Sequence, residues 1–259
     1  MSDILRYEHV NISYSGTRVV RDISFSLKEG EILGIAGESG SGKSTLIRAA
    51  MGLLGRNGLV TGGDILFKGM NLTDLSERKR REINGPEIGM IFQNAGASFC
   101  PVRTLEDQLY ESLNEHERVS RPEFRKRAEE LLGRIGLEDA GGVLKRYPFE
   151  LSGGMQQRFG IAAAILLKPC VLLADEPTSA LDVSVQKQVV EVMRKVRDDF
   201  GTSIILVTHN IGVIGALADR VLVMKDGEMV EYGEKEQVLK APQEPYTRRL
   251  MAAVPRLRR

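Results

Sequence analysis

The 259-residue sequence predicts an α/β fold with an antiparallel β-subdomain and an inserted helical lobe. Three patterns carry that prediction. The apolar runs "VLLADE" and "SIILVTH" have strand length and flank the helical stretch "SVQKQVVEVMRKVRDDF". Strand, helix and strand in that order imply a right-handed parallel crossover. The opening "YEHVNISYSGTRVVRDISFSLKEGEILGIAG" alternates apolar and polar residues between turn signals, as antiparallel strands do. From Leu105 to Ala164 the spacing of apolar residues is mostly helical.

In chain order, turns at Ser15–Gly16 and Glu29–Gly30 separate the first strands, and Glu31 to Ala36 reads as a buried strand. "KSTLIRAAMGLL" has the spacing of an amphipathic helix. "GGDILFKGMNL" reads as a short hairpin and "SERKRREI" as a short charged helix, with Arg78 to Arg81 on a solvated face and anionic lipid or a partner loop as the alternative. After the helical middle and the crossover, "RVLVMKDGEMVEYG" closes as a hairpin turning at Asp226–Gly227. No repeat, low-complexity tract or linker interrupts the chain, so one domain spanning 1–259 is expected, its helical lobe over about 94–160.

Composition narrows the function classes. Hydrophobic residues make up 42% and charged residues 27%, which argues against disorder. A net charge of +1 provides no basic field for nucleic acid, and no nucleic-acid partner is expected. Cys100 and Cys170 have no metal-ligand spacing and point to a reducing compartment. The amino terminus lacks the apolar core of a signal peptide, and "IAAAILLKPCVLLA" is cut by Lys168 and Pro169 short of a membrane span.

The chemistry starts at "GESGSGKST", which matches G-x-x-x-x-G-K-[ST] between a predicted strand and a predicted helix. In that setting the backbone N–H groups of Gly37, Ser39, Gly40, Ser41, Gly42 and Thr45 curl around phosphates, helped by the helix N-terminus. Lys43 reaches the β- and γ-phosphates, and the Ser44 hydroxyl ligates Mg²⁺. Downstream, "VLLADEP" ends a strand in two carboxylates. Asp175 is suited to hold Mg²⁺ and Glu176 to act as general base on the attacking water.

"LSGGMQQR" adds a second anion cradle, with Ser152, Gly153 and Gly154 at a helix start. Alone it would read as an N-capped helix. After the phosphate loop and before "LLADE", it resembles the signature of the ATP-binding-cassette (ABC) ATPases. The resemblance implies a RecA-like core for the α/β domain. It implies that two cassettes pair head to tail, the signature of one closing on the γ-phosphate held by the other. By the same resemblance, Tyr14 in "ISYSG" stacks on adenine, and Gln93 in "MIFQN" reaches the Mg²⁺ and the water. Asp182 in "SALD" lies on the loop crossing the dimer interface, and His209 in "LVTHN" contacts the γ-phosphate. The catalytic set is thus Glu176, His209, Gln93 and Lys43, and the metal set Ser44, Gln93 and Asp175. ATP and Mg²⁺ are the cofactors implied.

"PEIGMIFQ", "LSGGMQQR" and "ADEPTSALDVSVQ" resemble the dipeptide, oligopeptide and nickel importer group, as does the tail "APQEPYTRRLMAAVP" within 239–259. Glu244 departs from that group's histidine, Asn210 from its aspartate, and "FQNAGASFCP" from its F-Q-D-P pattern. The end of the chain soon after Pro255 leans towards the nickel or metal-chelate branch. The terminal "RLRR" reads as a frayed tail, with contact to lipid headgroups as the alternative. The resemblance implies an ATPase at the cytoplasmic face of the cell membrane. Its partners are two transmembrane permease subunits, a second homologous ATPase (heterodimeric, with a homodimer as the alternative) and, indirectly, an extracytoplasmic solute-binding protein. The rival reading is a soluble cassette, such as the accessory ATPase of carbon–phosphorus lyase.

Overall fold

The structure is a computed structural model describing residues 2–179 and 181–253; Ala180 of "SALD", Pro255 and the terminal "RLRR" lie outside the described residues. The chain forms two compact units, Met1–Arg80 with Ser203–Arg259, and Arg81–Thr202.

The first unit opens with β1 (Asp3–Tyr14) and β2 (Thr17–Lys28), a hairpin turning at Ser15 and Gly16. Both turn residues have positive φ, 48° and 84°. That pairing suits the twist of a two-residue hairpin loop. The buried strand β3 (Ile32–Ala36) leads through the glycine-rich loop into α1 (Lys43–Ala50). Then come β4 (Gly58–Phe67), β5 (Met70–Asn71) and the charged helix α2 (Glu77–Ile83). β1 pairs with β2 on one side and β4 on the other, giving the antiparallel sheet β2-β1-β4-β5.

The second unit contains β6 (Ile88–Ile91), α3 (Leu105–Asn114), α4 (Arg121–Arg134) and α5 (Ala140–Lys145). It continues with α6 (Gly153–Ile165), β7 (Val171–Asp175) and α7 (Val183–Phe200). Its helices start where the sequence supplies a side-chain oxygen. Thr104, Ser120, Asp139, Ser152 and Asp182 each accept a bond from a backbone N–H of the first turn, satisfying a donor the helix leaves open. Phe124 and Phe159 are fully buried in this unit, edge-on to Tyr110 and Phe99.

The chain then returns to the first unit with β8 (Ser203–Val207), α8 (Ile211–Leu217), β9 (Arg220–Lys225), β10 (Glu228–Glu234), α9 (Lys235–Lys240) and α10 (Pro245–Ala252). β3 runs parallel to β8 and β9, in register from Ile32↔Ile204 to Ile35↔Val207 and from Leu33↔Arg220 to Ala36↔Val223. Every residue of β3 and β8 is buried, which is why both read as unbroken apolar runs rather than alternating ones. β9 and β10 form the expected hairpin at Asp226 and Gly227, again with both φ positive. Tyr7 stacks on Phe25 with ring centroids 4.4 Å apart, and its hydroxyl donates to Leu46 O at 3.2 Å. The antiparallel sheet is thereby fastened to the helix that follows the glycine-rich loop. Among the described residues no helix is long and apolar enough to cross a membrane.

Candidate nucleotide-binding site

In the first unit, the parallel register brings two candidate segments to one edge of the sheet. Ala36 ends β3 and Val207 ends β8, so the loop beginning at Gly37 and the bend at His209 leave the same carboxyl edge. Thr208, fully buried, donates its N–H to Ile35 O at 3.2 Å, and its hydroxyl accepts from Asn210 N at 3.0 Å. This holds the exposed His209 between two fixed neighbours. The carboxyl edge is where open α/β sheets take ligands.

The loop's shape explains its glycines. Gly37 has φ 150° and packs so tightly on β9 that a Cβ there would sit 2.3 Å from Met224 O. Gly42 has φ 94° and caps α1, its back against Val19 and Val20 of β2. Glu38, Ser39 and Gly40 are exposed on the curl, while Ser44 and Thr45 are half-buried on the first turn of α1. Lys43 is buried, and its Nζ donates to Gly37 O at 2.9 Å, Glu38 O at 2.6 Å and Ser41 Oγ at 3.3 Å. The ammonium is therefore folded over its own loop and stands at the helix N-terminus, where the macrodipole is also positive. Tyr14, half-buried, ends β1 opposite Thr17 and Gly58, and a Cβ at position 58 would lie 2.8 Å from its ring. An edge of the Tyr14 ring thus packs on Gly58 of β4, while β2, the other neighbour of β1, backs Gly42.

In the second unit, β6 and β7 pair in parallel, Ile91 opposite Ala174. Gln93 and the Asp175–Glu176 pair therefore emerge at one edge. Asp175 is fully buried and Glu176 is 9% exposed. Glu176 has φ 50°, a left-handed backbone rare outside glycine. Its carbonyl accepts from Ser179 N at 3.1 Å, closing a turn, and Ser179 Oγ donates to Gln93 O at 3.4 Å. The strain at Glu176 belongs to the turn that brings the carboxylate residue beside the exposed Gln93 segment.

The same unit joins the two remaining motifs. Ser152, exposed, caps α6 by accepting from Met155 N at 3.4 Å; Asp182, exposed, caps α7 by accepting from Val185 N at 2.9 Å. A Cβ on Gly154 would meet Val185 Cγ1 at 2.7 Å, and one on Gly153 would meet Leu181 Cδ2 at 4.0 Å. Only a residue without a side chain lets the two helix starts lie this close at Gly154. Ser152 and Gly153 remain open to solvent beside Asp182.

Ser44 offers a hydroxyl oxygen on the first unit, and Gln93 and Asp175 offer an amide and a carboxylate oxygen at one edge of the second; each is a hard donor of the kind Mg²⁺ takes. Asp175 is sealed from solvent at the end of β7. Sequence reading missed the outer support of the glycine-rich loop. Gly227 N donates to Ser41 O at 3.2 Å, so the β9–β10 turn holds the loop from behind. Asn210 is also more than a departure from an aspartate. Its side chain accepts from Gly212 N and Val213 N and caps α8.

Comparison with known proteins agrees with this architecture. Residues 20–179 match the ABC transporter family, and residues 230–259 match the oligopeptide/dipeptide transporter C-terminal region. The chain is 43% identical over 262 residues to a dipeptide transport ATP-binding protein of Bacillus subtilis, covering 99% of this chain and 78% of that protein. It is 43% identical over 265 residues to a glutathione import ATP-binding protein of Escherichia coli, covering 98% of this chain but only 42% of that longer protein. Among solved structures, the ATP-binding cassette MJ0796, in a dimeric post-hydrolysis state bound to ADP and Pi, superimposes with a TM-score of 0.79 at 29% identity. That alignment covers 89% of this chain and 98% of the other. Matched by the family over residues 20–179 and by a dipeptide transport relative over nearly its whole length, the chain belongs to the ABC transporter family as one of its ATP-hydrolysing cassettes.

Proposed function

We propose that the chain energises uptake of dipeptides or oligopeptides through a pair of membrane permeases, working as a single nucleotide-binding cassette with a helical lobe over about 94–160. The observation that carries the substrate class is the tail. Residues 230–259 match the oligopeptide/dipeptide C-terminal region, and their described part folds as β10, α9 and α10 on the unit that bears the glycine-rich loop. The dipeptide transport relative supports the same class over the whole chain.

ATP binds with its phosphates on the Gly37–Thr45 loop and its adenine on Tyr14. Lys43 shares its ammonium between loop and phosphate. Its contact to Ser41 Oγ, at 3.3 Å the longest of the three, is the one a phosphate oxygen displaces at least cost. Ser44, Asp175 and Gln93 would hold Mg²⁺, which would supply charge neutralisation on the phosphates. Glu176 takes the proton of the attacking water that Gln93 orients, and His209 donates to the γ-phosphate as charge develops. Ser152, Gly153 and Gly154 serve the nucleotide of a second, homologous cassette, with Asp182 at the interface. That partner is a different chain, giving a heterodimer. The exposure of Ser152 and Asp182 supports this arrangement. The complex sits at the cytoplasmic face of the membrane and receives solute from an external binding protein.

The test is a mild-detergent pull-down of tagged Glu176→Gln from its own cells with Mg-ATP. The variant binds ATP without turnover and retains its partners. Recovery of two multi-span permeases and a second cassette, whose binding protein takes peptides, is the expected result. A binding protein selective for nickel or a metal chelate sinks the peptide assignment, and recovery of soluble enzymes alone sinks the importer.

A further inference from the structure

The tail helix α10 reaches the glycine-rich loop through one residue. Tyr246 lies in an apolar cluster with Ala36, Ile214, Ala218, Val221, Val223 and Val238. Ala36 is the residue immediately before Gly37. The ring of Tyr246 lies 5.4 Å under Lys225 Nζ, and Lys225 follows Met224, whose carbonyl touches Gly37. From the other side, the Glu231 carboxylate accepts from the backbone N–H groups of Gln243 at 2.8 Å and Glu244 at 3.3 Å, anchoring the start of α10. The helix is therefore fixed, and Tyr246 is presented to the loop.

The Tyr246 hydroxyl is buried and makes no hydrogen bond of regular geometry, with the backbone and the carboxylate of Glu38 as its nearest polar neighbours, in weak contact only. Burial holds its phenol above the ordinary range, with Glu38 and Asp226 as its charged neighbours. Glu38 is no bystander, since its carbonyl accepts from Lys43 Nζ at 2.6 Å. A buried hydroxyl left unpaired is costly. The cost is recovered if a small shift of the Glu38 peptide, as Lys43 turns towards a phosphate, completes the bond. The hydroxyl then favours the engaged loop over the empty one, which is the differential interaction that a coupling requires.

We propose that Tyr246 is a positioning residue of the nucleotide site, its hydroxyl pairing with Glu38 when the glycine-rich loop engages a phosphate, so that the tail helix sets the affinity for ATP. This rests on the reading of Gly37–Thr45 as the phosphate site and goes beyond it. Tyr246→Phe separates positioning from packing, because it keeps the ring and removes only the hydroxyl.

The experiment measures Mg-ATP affinity by calorimetric titration, and thermal unfolding, on the full chain. Tyr246→Phe unfolds at the same temperature as wild type or higher, since an unpaired buried group is gone, yet binds Mg-ATP about fivefold more weakly. Val238→Ala, in the same cluster, loses thermal stability and keeps its affinity within about twofold of wild type. Wild-type affinity in Tyr246→Phe overturns the proposal. So does an equal loss of affinity in Val238→Ala, which would make the effect one of packing. If Lys43→Ala binds as tightly as wild type, the phosphate-site reading fails and this inference falls with it; affinity lost there but kept in Tyr246→Phe rejects the tail coupling alone.

Discussion

Asn210 illustrates how one residue can serve both fold and site. Its side chain takes two backbone N–H groups of α8, at 3.0 and 3.3 Å, while its own N–H is taken by Thr208 Oγ1. The bend that carries His209 is thereby tied at both ends. Asn210→Ala removes the cap and costs about 1 kcal/mol in urea unfolding. Asn210→Asp retains an equivalent acceptor and changes the unfolding free energy by no more than a few tenths of a kcal/mol. A larger loss in the aspartate variant would mean that the amide N–H₂ group carries the contact. Gly37 shows the opposite economy, a position where the useful feature is an absent side chain, since Met224 O already occupies the space.

At the scale of elements, the start of α3 in the helical unit is locked to α4. Thr104 Oγ1 donates to Asp107 Oδ2 at 2.9 Å while accepting from Asp107 N, and Arg121 donates to Asp107 Oδ1 at 2.9 Å. Arg121 first, then Thr104, holds the Asp107 carboxyl below the usual carboxylate range. A carboxyl with a lowered folded pKa binds fewer protons folded than unfolded, so its stabilisation is complete above the unfolded value of about 3.9 and is lost as pH falls through the folded value. Asp107→Asn therefore lowers the melting temperature near neutral pH, and the gap to wild type closes below about pH 3.9. A gap that stays constant across that range would remove the ion pair from the account. In the other unit, Arg220 plays a comparable part. It donates to Glu31 and to Ser26 O, fastening β9 to the β2–β3 turn, and Glu31 raises its already high pKa further.

For the whole molecule, the decisive prediction concerns assembly. Under the proposed pairing, the loop of the first unit and the start of α6 serve different nucleotides. Lys43→Ala loses Mg-ATP binding in the single chain. Ser152→Arg leaves that binding intact but abolishes ATP-dependent association with the partner cassette, read by sedimentation velocity in the Glu176→Gln background. The arginine variant also forfeits the cap of α6, worth about 1 kcal/mol, a small loss for a cassette of this size. If Ser152→Arg weakens nucleotide binding as much as Lys43→Ala does, both cradles serve one nucleotide and the paired arrangement is wrong.

The sequence by itself determined the main strands, their turns and the motif residues, but not the helices α8, α9 and α10. Buried parallel strands must be apolar throughout, two-residue hairpins need residues tolerant of positive φ, and phosphate loops need glycine, lysine and a hydroxyl in fixed order. Each of those demands is local, so "ILGIA", Asp226–Gly227 and "GESGSGKST" declare themselves in a short window. Non-local contacts leave no such trace. That Gly154 must be bare because Val185 arrives from another helix is a fact about packing. That Gly227 supports Ser41 is another, as is the burial of Tyr246 beside Glu38, 208 positions earlier in the chain. Only the tertiary structure could decide these, because side-chain contact depends on where the backbone returns, and residue spacing along the chain does not encode that return.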